Sequence, residues 1–167
     1  MANDYLLALD VEPFTLGQSF VPGQPLPLHC TLMHWFQFRE GRDFSHLDRE
    51  ISSAIRIAHY DILSCMRAQH LISDQAALFG PKNDVPVHTL ERTNRLFHLH
   101  IKIFNMLKNI GVRHSELRWV GENWRPHVTT TDRAFEPGSE HMATTIAVIA
   151  RTEEKQRSVI AVYELPS

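Results

Sequence analysis

The sequence is poor in cysteine. Its two, Cys30 and Cys65, supply neither a disulfide framework nor a thiolate zinc site, a usage that suits a reducing cytoplasm. Long hydrophobic runs are lacking as well. No stretch approaches the ~18 consecutive apolar residues of a membrane span. The opening MANDYLLALDVEPF carries acids where a secretory signal carries basic residues, so the expectation is a cytoplasmic protein without a membrane partner. Charge of one sign is also missing: 17 Lys and Arg against 19 Asp and Glu leave a formal −2, which excludes a polycation that coats nucleic acid. There is no Gly-rich phosphate loop, no HExxH, and no HxxxH pair on one helical face. With no repeat, low-complexity tract or linker, residues 1–167 are expected to form a single domain, monomeric, with 43% hydrophobic residues to build its core.

What is abundant is histidine, with eleven copies. Residues 5–11 (YLLALDV) have strand character, and 17–27, with two glycines and three prolines, read as a loop. The aromatic run 28–38 (LHCTLMHWFQF) predicts a second strand. Asp43 or Ser45 then caps a helix whose apolar positions are Leu47, Ile51, Ala54, Ile55 and Ala58. Strands are expected at 60–66, 75–79 and 85–90, the last at a sheet edge because Pro86 lacks an N–H. Residues 93–110 carry the longest helical stripe, Leu96, His100, Ile103, Leu107 and Ile110, stopped by Gly111. Two closing strands, 142–151 and 158–165, flank the charged turn TEEKQR. Strands intermixed with two amphipathic helices predict an α+β fold.

Against this frame a tripeptide pattern occurs twice. His29-Cys30-Thr31 lies in LPLHCTLMHWF, and His127-Val128-Thr129 lies in WRPHVTTT. In a strand, residues i and i+2 share a face, so each copy projects an imidazole and a hydroxyl side by side. On neighbouring strands, the two copies bring four such groups to one pocket. Phosphodiester cleavage needs one group to take a proton from the nucleophile and another to protonate the departing oxygen. Histidine does both near neutral pH. Threonine hydroxyls can donate to the non-bridging oxygens, where charge concentrates in the transition state.

The paired HxT pattern resembles that of the 2H (two-histidine) phosphoesterase superfamily, which includes the LigT-like "2′-5′ RNA ligase" proteins and cyclic nucleotide phosphodiesterases. Its two H-x-[ST]-x-hydrophobic motifs are matched by HCTLM and by HVTTT, with Met33 at the fifth position of the first and Thr131 a departure in the second. The order of strands and helices matches over most of the chain. The resemblance implies a bilobal α+β domain, two antiparallel sheets flanked by helices, with the site in a central cleft. It implies a phosphoesterase that uses neither metal nor other cofactor and acts on a cyclic or 2′-5′-linked nucleotide, with His29, Thr31, His127 and Thr129 as the reacting groups. The substrate is then an RNA end, such as a 2′,3′-cyclic phosphate, or a cyclic oligonucleotide messenger, the class some phage-encoded relatives cleave against bacterial immunity. The near-neutral charge favours a small cyclic nucleotide over long RNA.

Further candidates surround the motifs. Regular alternation puts Trp35 on the motif face with residues 29, 31 and 33, and Trp124 precedes the second motif by three residues; either indole can stack a base. Arg125 adjoins the second motif and can reach a phosphate, and Tyr5 begins a strand whose end can line the cleft. The same alternation turns His34 to the opposite face. His98 and His100 diverge by about 200° on a helix, which argues against a shared metal. Two other classes remain: a non-catalytic nucleotide- or RNA-binding module, which would not need two proton-transfer groups, and a histidine-based metalloprotein.

Overall fold

The computed structural model describes residues 3–130 and 135–167. In chain order the strands are β1 (Asp4–Asp10), β2 (Ser19–Phe20), β3 (His29–Phe38), β4 (Gln69–Phe79), β5 (Val85–Leu90), β6 (Val112–His114), β7 (His127–Thr129), β8 (Glu140–Ala143), β9 (Thr145–Arg151) and β10 (Arg157–Glu164). The helices are α1 (Phe44–Ala58) and α2 (Asn94–Ile110). The strands join in the order β2-β10-β9-β1-β3-β7-β5-β4-β8, with β6 beside the end of β3. Adjacent strands run antiparallel. The expectation of two separate sheets is therefore corrected: one curled sheet runs through the molecule. Its two halves join at a single residue pair, Cys30 with Val128.

Both helices start where short polar side chains meet orphan N–H groups. Asp43 accepts from the Ser45 amide at 3.0 Å, and the His46 ring accepts from the Asp43 amide at 3.2 Å, closing a capping box. Thr93 accepts from the Leu96 amide. Gly111, at φ 98°, ends α2 in a conformation costly for other residues. Leu47, Ile51 and Ala58 of α1, with Leu96, Leu99, Ile103 and Leu107 of α2, are fully buried against one face of the sheet. There they meet Leu7 and Leu9 of β1 in the larger apolar cluster. Leu6 and Ala8, the alternate residues of β1, point to the other face and form a smaller cluster with Phe14, Phe20, Ala147 and Ile149. Each buried aliphatic side chain is worth about 1.5–3 kcal/mol of transfer free energy. Among the described residues no helix is long and apolar enough to cross a membrane.

Three expected elements differ. Residues 60–66 form a loop, because the Asp61 carboxylate takes the Leu63 amide, the Asp61 carbonyl takes the Ser64 amide, and Arg67 closes onto the end of α1 at the Ala58 carbonyl. These local bonds leave the backbone little to offer a sheet. β5 is interior, between β7 and β4. Pro86 is tolerated because its carbonyl, and hence its missing N–H, faces the side where β7 has already ended, with Thr130 donating to it. The closing strand at 142–151 is broken at Thr144, where Asp10 accepts both the Thr144 and Thr145 amides.

Candidate active site

β3 and β7 are neighbours, and the pairing of Cys30 with Val128 sets their register. One step on either side, His29 lies opposite Thr129 and Thr31 opposite His127. All four motif side chains thus share one face, with the imidazoles on a diagonal. Cys30 and Val128 point the other way and are fully buried. Burial pushes the Cys30 thiol up to about 12, so it is no nucleophile.

The two histidines are held alike. His29 Nδ1 lies 2.7 Å from the Pro27 carbonyl, and His127 Nδ1 lies 2.8 Å from the Arg125 carbonyl. In both cases the carbonyl belongs to the residue two positions back. A carbonyl only accepts, so each Nδ1 keeps its proton and Nε2 is the nitrogen that exchanges one. Each ring also meets an aromatic edge: Phe14 at 5.7 Å from His29, Phe79 at 4.7 Å from His127. Arg125 lies over that same Phe79 ring at 4.5 Å. The pKa of His127 is below the ordinary histidine value. Burial disfavours its imidazolium, the bond to the Arg125 carbonyl opposes this, and the Arg125 charge depresses it further.

A single ladder pair is a thin joint between two motif strands, and a histidine outside the motifs reinforces it. His100, on the buried stripe of α2, donates from Nδ1 to the Leu32 carbonyl of β3 at 2.9 Å. Its Nε2 accepts the Gly121 amide at 2.8 Å, in the segment leading into β7. The Trp124 indole stacks on it, 4.3 Å between centroids and 2° from parallel. The Trp124 Nε1 in turn donates to the Thr31 carbonyl at 3.4 Å. One stacked pair therefore ties both motifs to α2. Accepting from Gly121 requires a neutral ring, and burial drives His100 down to about 4.

The other sequence candidates divide. Arg125 is exposed beside His127. Trp124 is corrected: only 3% exposed, it spends its faces on the core and offers none to a ligand. Tyr5 is corrected too. It pairs with Phe36 and packs on Phe36 and Phe38 with the larger cluster, away from the motif face. Trp35 does lie on the motif side, against the smaller cluster, but not by regular alternation.

Against β1, the register of β3 slips by one residue between Thr31 and Met33 and again between Met33 and Phe36. These bulges send both Leu32 and Met33 into the larger cluster and turn His34 and Trp35 together to the motif face. His34, expected on the opposite face, thus comes within electrostatic reach of both His29 and His127. Thr131, the fifth position of the second motif, lies outside the described residues.

Among the described residues no group of three or more His, Cys, Asp and Glu lies close enough together to hold a metal ion. A groove of 410 Å³ between α1 and β10, lined by Ile55, Tyr60 and Tyr163 among others, contains none of the motif residues.

No family model matches the sequence, and no curated protein matches it. Solved structures do match. Escherichia coli LigT complexed with 3′-AMP superposes with a TM-score of 0.60 at 14% identity, over 100% of both chains. A structure described as a phosphoesterase gives 0.59 at 15% identity, again over 100% of both. A protein of Thermus thermophilus gives 0.53 at 16% identity over 97% of each. The fold is therefore that of the LigT-like structures.

Proposed function

We propose that this chain, having the LigT fold, is a two-histidine phosphoesterase that hydrolyses a cyclic or 2′-5′-linked phosphodiester. The observation that carries this reading is the mirrored pair of imidazoles. Each is fixed through Nδ1 to a carbonyl two residues back, each stands beside a threonine, and both lie on one face of adjoining strands. A binding module would need neither the matching tautomers nor the diagonal placement.

In the proposed reaction a water attacks phosphorus in line while the ester oxygen opposite departs. His127 Nε2 takes the proton from the water, a role suited to a ring whose burial and neighbouring Arg125 favour the neutral form. His29 Nε2–H gives its proton to the leaving oxygen. The Thr31 and Thr129 hydroxyls donate to the non-bridging oxygens as charge builds there. One proton enters from water and one leaves with the alcohol, so the pair ends with its roles exchanged and resets through solvent. No metal takes part in these steps. LigT has been crystallised with 3′-AMP and with ATP, which accords with a nucleotide ligand for a site of this shape.

The test is incubation with 2′,3′-cyclic mononucleotides, 2′-5′-linked dinucleotides and cyclic dinucleotides, with and without EDTA, the products weighed by mass spectrometry. A monoester product that gains one water and forms equally fast in EDTA is expected. No turnover of any member, or turnover abolished by the chelator, contradicts the reading.

A further inference from the structure

Beyond the histidine and threonine pairs, the motif face continues along β3 to His34 and Trp35. We propose that these two residues form a subsite for a second nucleoside, so that the substrate carries a nucleoside on each side of the reacting phosphodiester. The inference rests on the phosphodiesterase reading above and names its substrate class: a 2′-5′-linked or cyclic oligonucleotide rather than a lone 2′,3′-cyclic mononucleotide.

The bulges of β3 create the subsite. Without them His34 would enter the core; with them it and Trp35 occupy consecutive places beside the reacting groups. Thr31 pairs with Ala8, and Trp35 falls near the level of Leu6, two residues away on β1. At about 3.3 Å per residue that is about 7 Å beyond Thr31, and about 13 Å beyond His29, which pairs with Asp10.

The indole is held as a platform. Arg151 reaches over from β9 and lies on one ring face at 4.0 Å. Asp4 fixes that guanidinium at 2.7 Å, and Gln37 donates to Asp4 at 2.8 Å. The Ser115 amide and hydroxyl both bond the Trp35 carbonyl, at 2.9 and 2.8 Å. Arg151 thus reaches the indole from the side of β9. Trp35 remains half-buried, so part of the indole is left open for a base to stack on.

His34 complements it. It makes no hydrogen bond among the described residues. Burial, then the nearby His127 and His29, bring its pKa down to about 4, against a smaller opposing effect of Glu116. A neutral imidazole offers one donor and one acceptor, which fits a ribose hydroxyl or a base edge better than a phosphate.

In-line displacement needs room on two sides of the phosphate. Attacking and leaving oxygens sit on opposite sides of phosphorus. Aromatic surface lies in two directions from the histidine pair: Phe79 with Arg125 on one flank, Trp35 along β3 on the other. A mononucleoside 2′,3′-cyclic phosphate has both ester oxygens on one ribose and can use only one of them. A phosphodiester joining two nucleosides uses both.

The test is calorimetric titration of the His127→Ala protein, in which turnover is suppressed, with 3′-AMP and with 2′-5′-linked diadenosine monophosphate. Stacking worth about 1–3 kcal/mol per base predicts tighter binding of the dinucleotide by about 5- to 150-fold. Adding Trp35→Leu should bring the two affinities within about twofold, and adding His34→Leu should narrow the gap part of the way, with His34→Gln restoring it. His34 is half-buried and unbonded, so its replacement leaves the fold in place even where Trp35→Leu disturbs it. Equal affinities, no binding of either ligand, or a preference that survives both substitutions overturns the subsite. Because the readout is binding, a dinucleotide preference in His127→Ala combined with no turnover of any diester by the wild-type chain sinks the hydrolytic reading and keeps the subsite; wild-type turnover without that preference does the reverse.

Discussion

His29→Ala and His127→Ala should each lower kcat on a phosphodiester by about 10²–10⁴-fold, the usual contribution of a positioned general acid or base. The loss should fall on kcat more than on KM, because proton transfer is needed in the transition state and the threonines still hold the phosphate. The fold should survive. Both rings are half-buried, and the carbonyls they release, at Pro27 and Arg125, sit where water can replace the lost bond. The double variant should be little worse than the weaker single one, since either imidazole without the other leaves a proton with nowhere to go. Steady-state kinetics on the three variants, with circular dichroism as the control, check this. Full activity in either single variant would remove that histidine from the chemistry.

Trp124→Ala should cost about 3–5 kcal/mol of stability, the range for deleting a buried aromatic side chain. It opens a cavity against His100 and removes a tie between the two motif strands. His100→Leu should be comparably damaging for a different reason. It strands the Leu32 carbonyl and the Gly121 amide, at about 1–3 kcal/mol for each buried group left unpaired. His100→Gln keeps one donor and one acceptor and should be milder.

The same residue makes stability depend on pH. Its folded pKa, about 4, lies below the ordinary 6.5, so as pH falls the unfolded chain takes up the proton first. The contribution is complete above pH 6.5 and is lost progressively down to about 4. At 1.36 kcal/mol per unit it amounts to about 3 kcal/mol. Denaturant unfolding at pH 7.5, 5.5 and 4.5 should show a steeper loss in wild type than in His100→Gln. Parallel curves would mean that the ring carries no such burden.

The HxT pairs were legible in the sequence because alternation is local: residues two apart in a strand share a face whatever else the fold does. The helices were legible for the same reason, from Leu47 to Ala58 and from Leu96 to Ile110. What escaped depended on partners far along the chain. Whether His34 faces the core or the motif side of the sheet is decided by bulges in the pairing of β3 with β1, and nothing within residues 29–38 announces them. Trp124 reads as a loop residue between charged neighbours, yet its stacking partner His100 is 24 positions earlier. A signal did exist there. A histidine in line with Leu96, Ile103 and Leu107 on an apolar stripe must be buried, and a buried imidazole needs partners on both nitrogens. Tyr5 reads as a cleft residue from its place at a strand end, but parity with Leu7 and Leu9 puts it in the core.

In the proposed reaction two imidazoles in opposite protonation states work together. The pH dependence of kcat/KM tests this most directly, on whichever diester the substrate panel identifies. Wild type should give a bell, active only while one ring is neutral and the other protonated. The acid limb reports the base. Arg125→Gln removes a positive charge that disfavours the His127 imidazolium, while the backbone carbonyl bonded to Nδ1 stays. His127 then holds its proton to higher pH, and the acid limb should move up. A rate that climbs with pH without falling, or a bell whose acid limb ignores Arg125, contradicts the paired-histidine account.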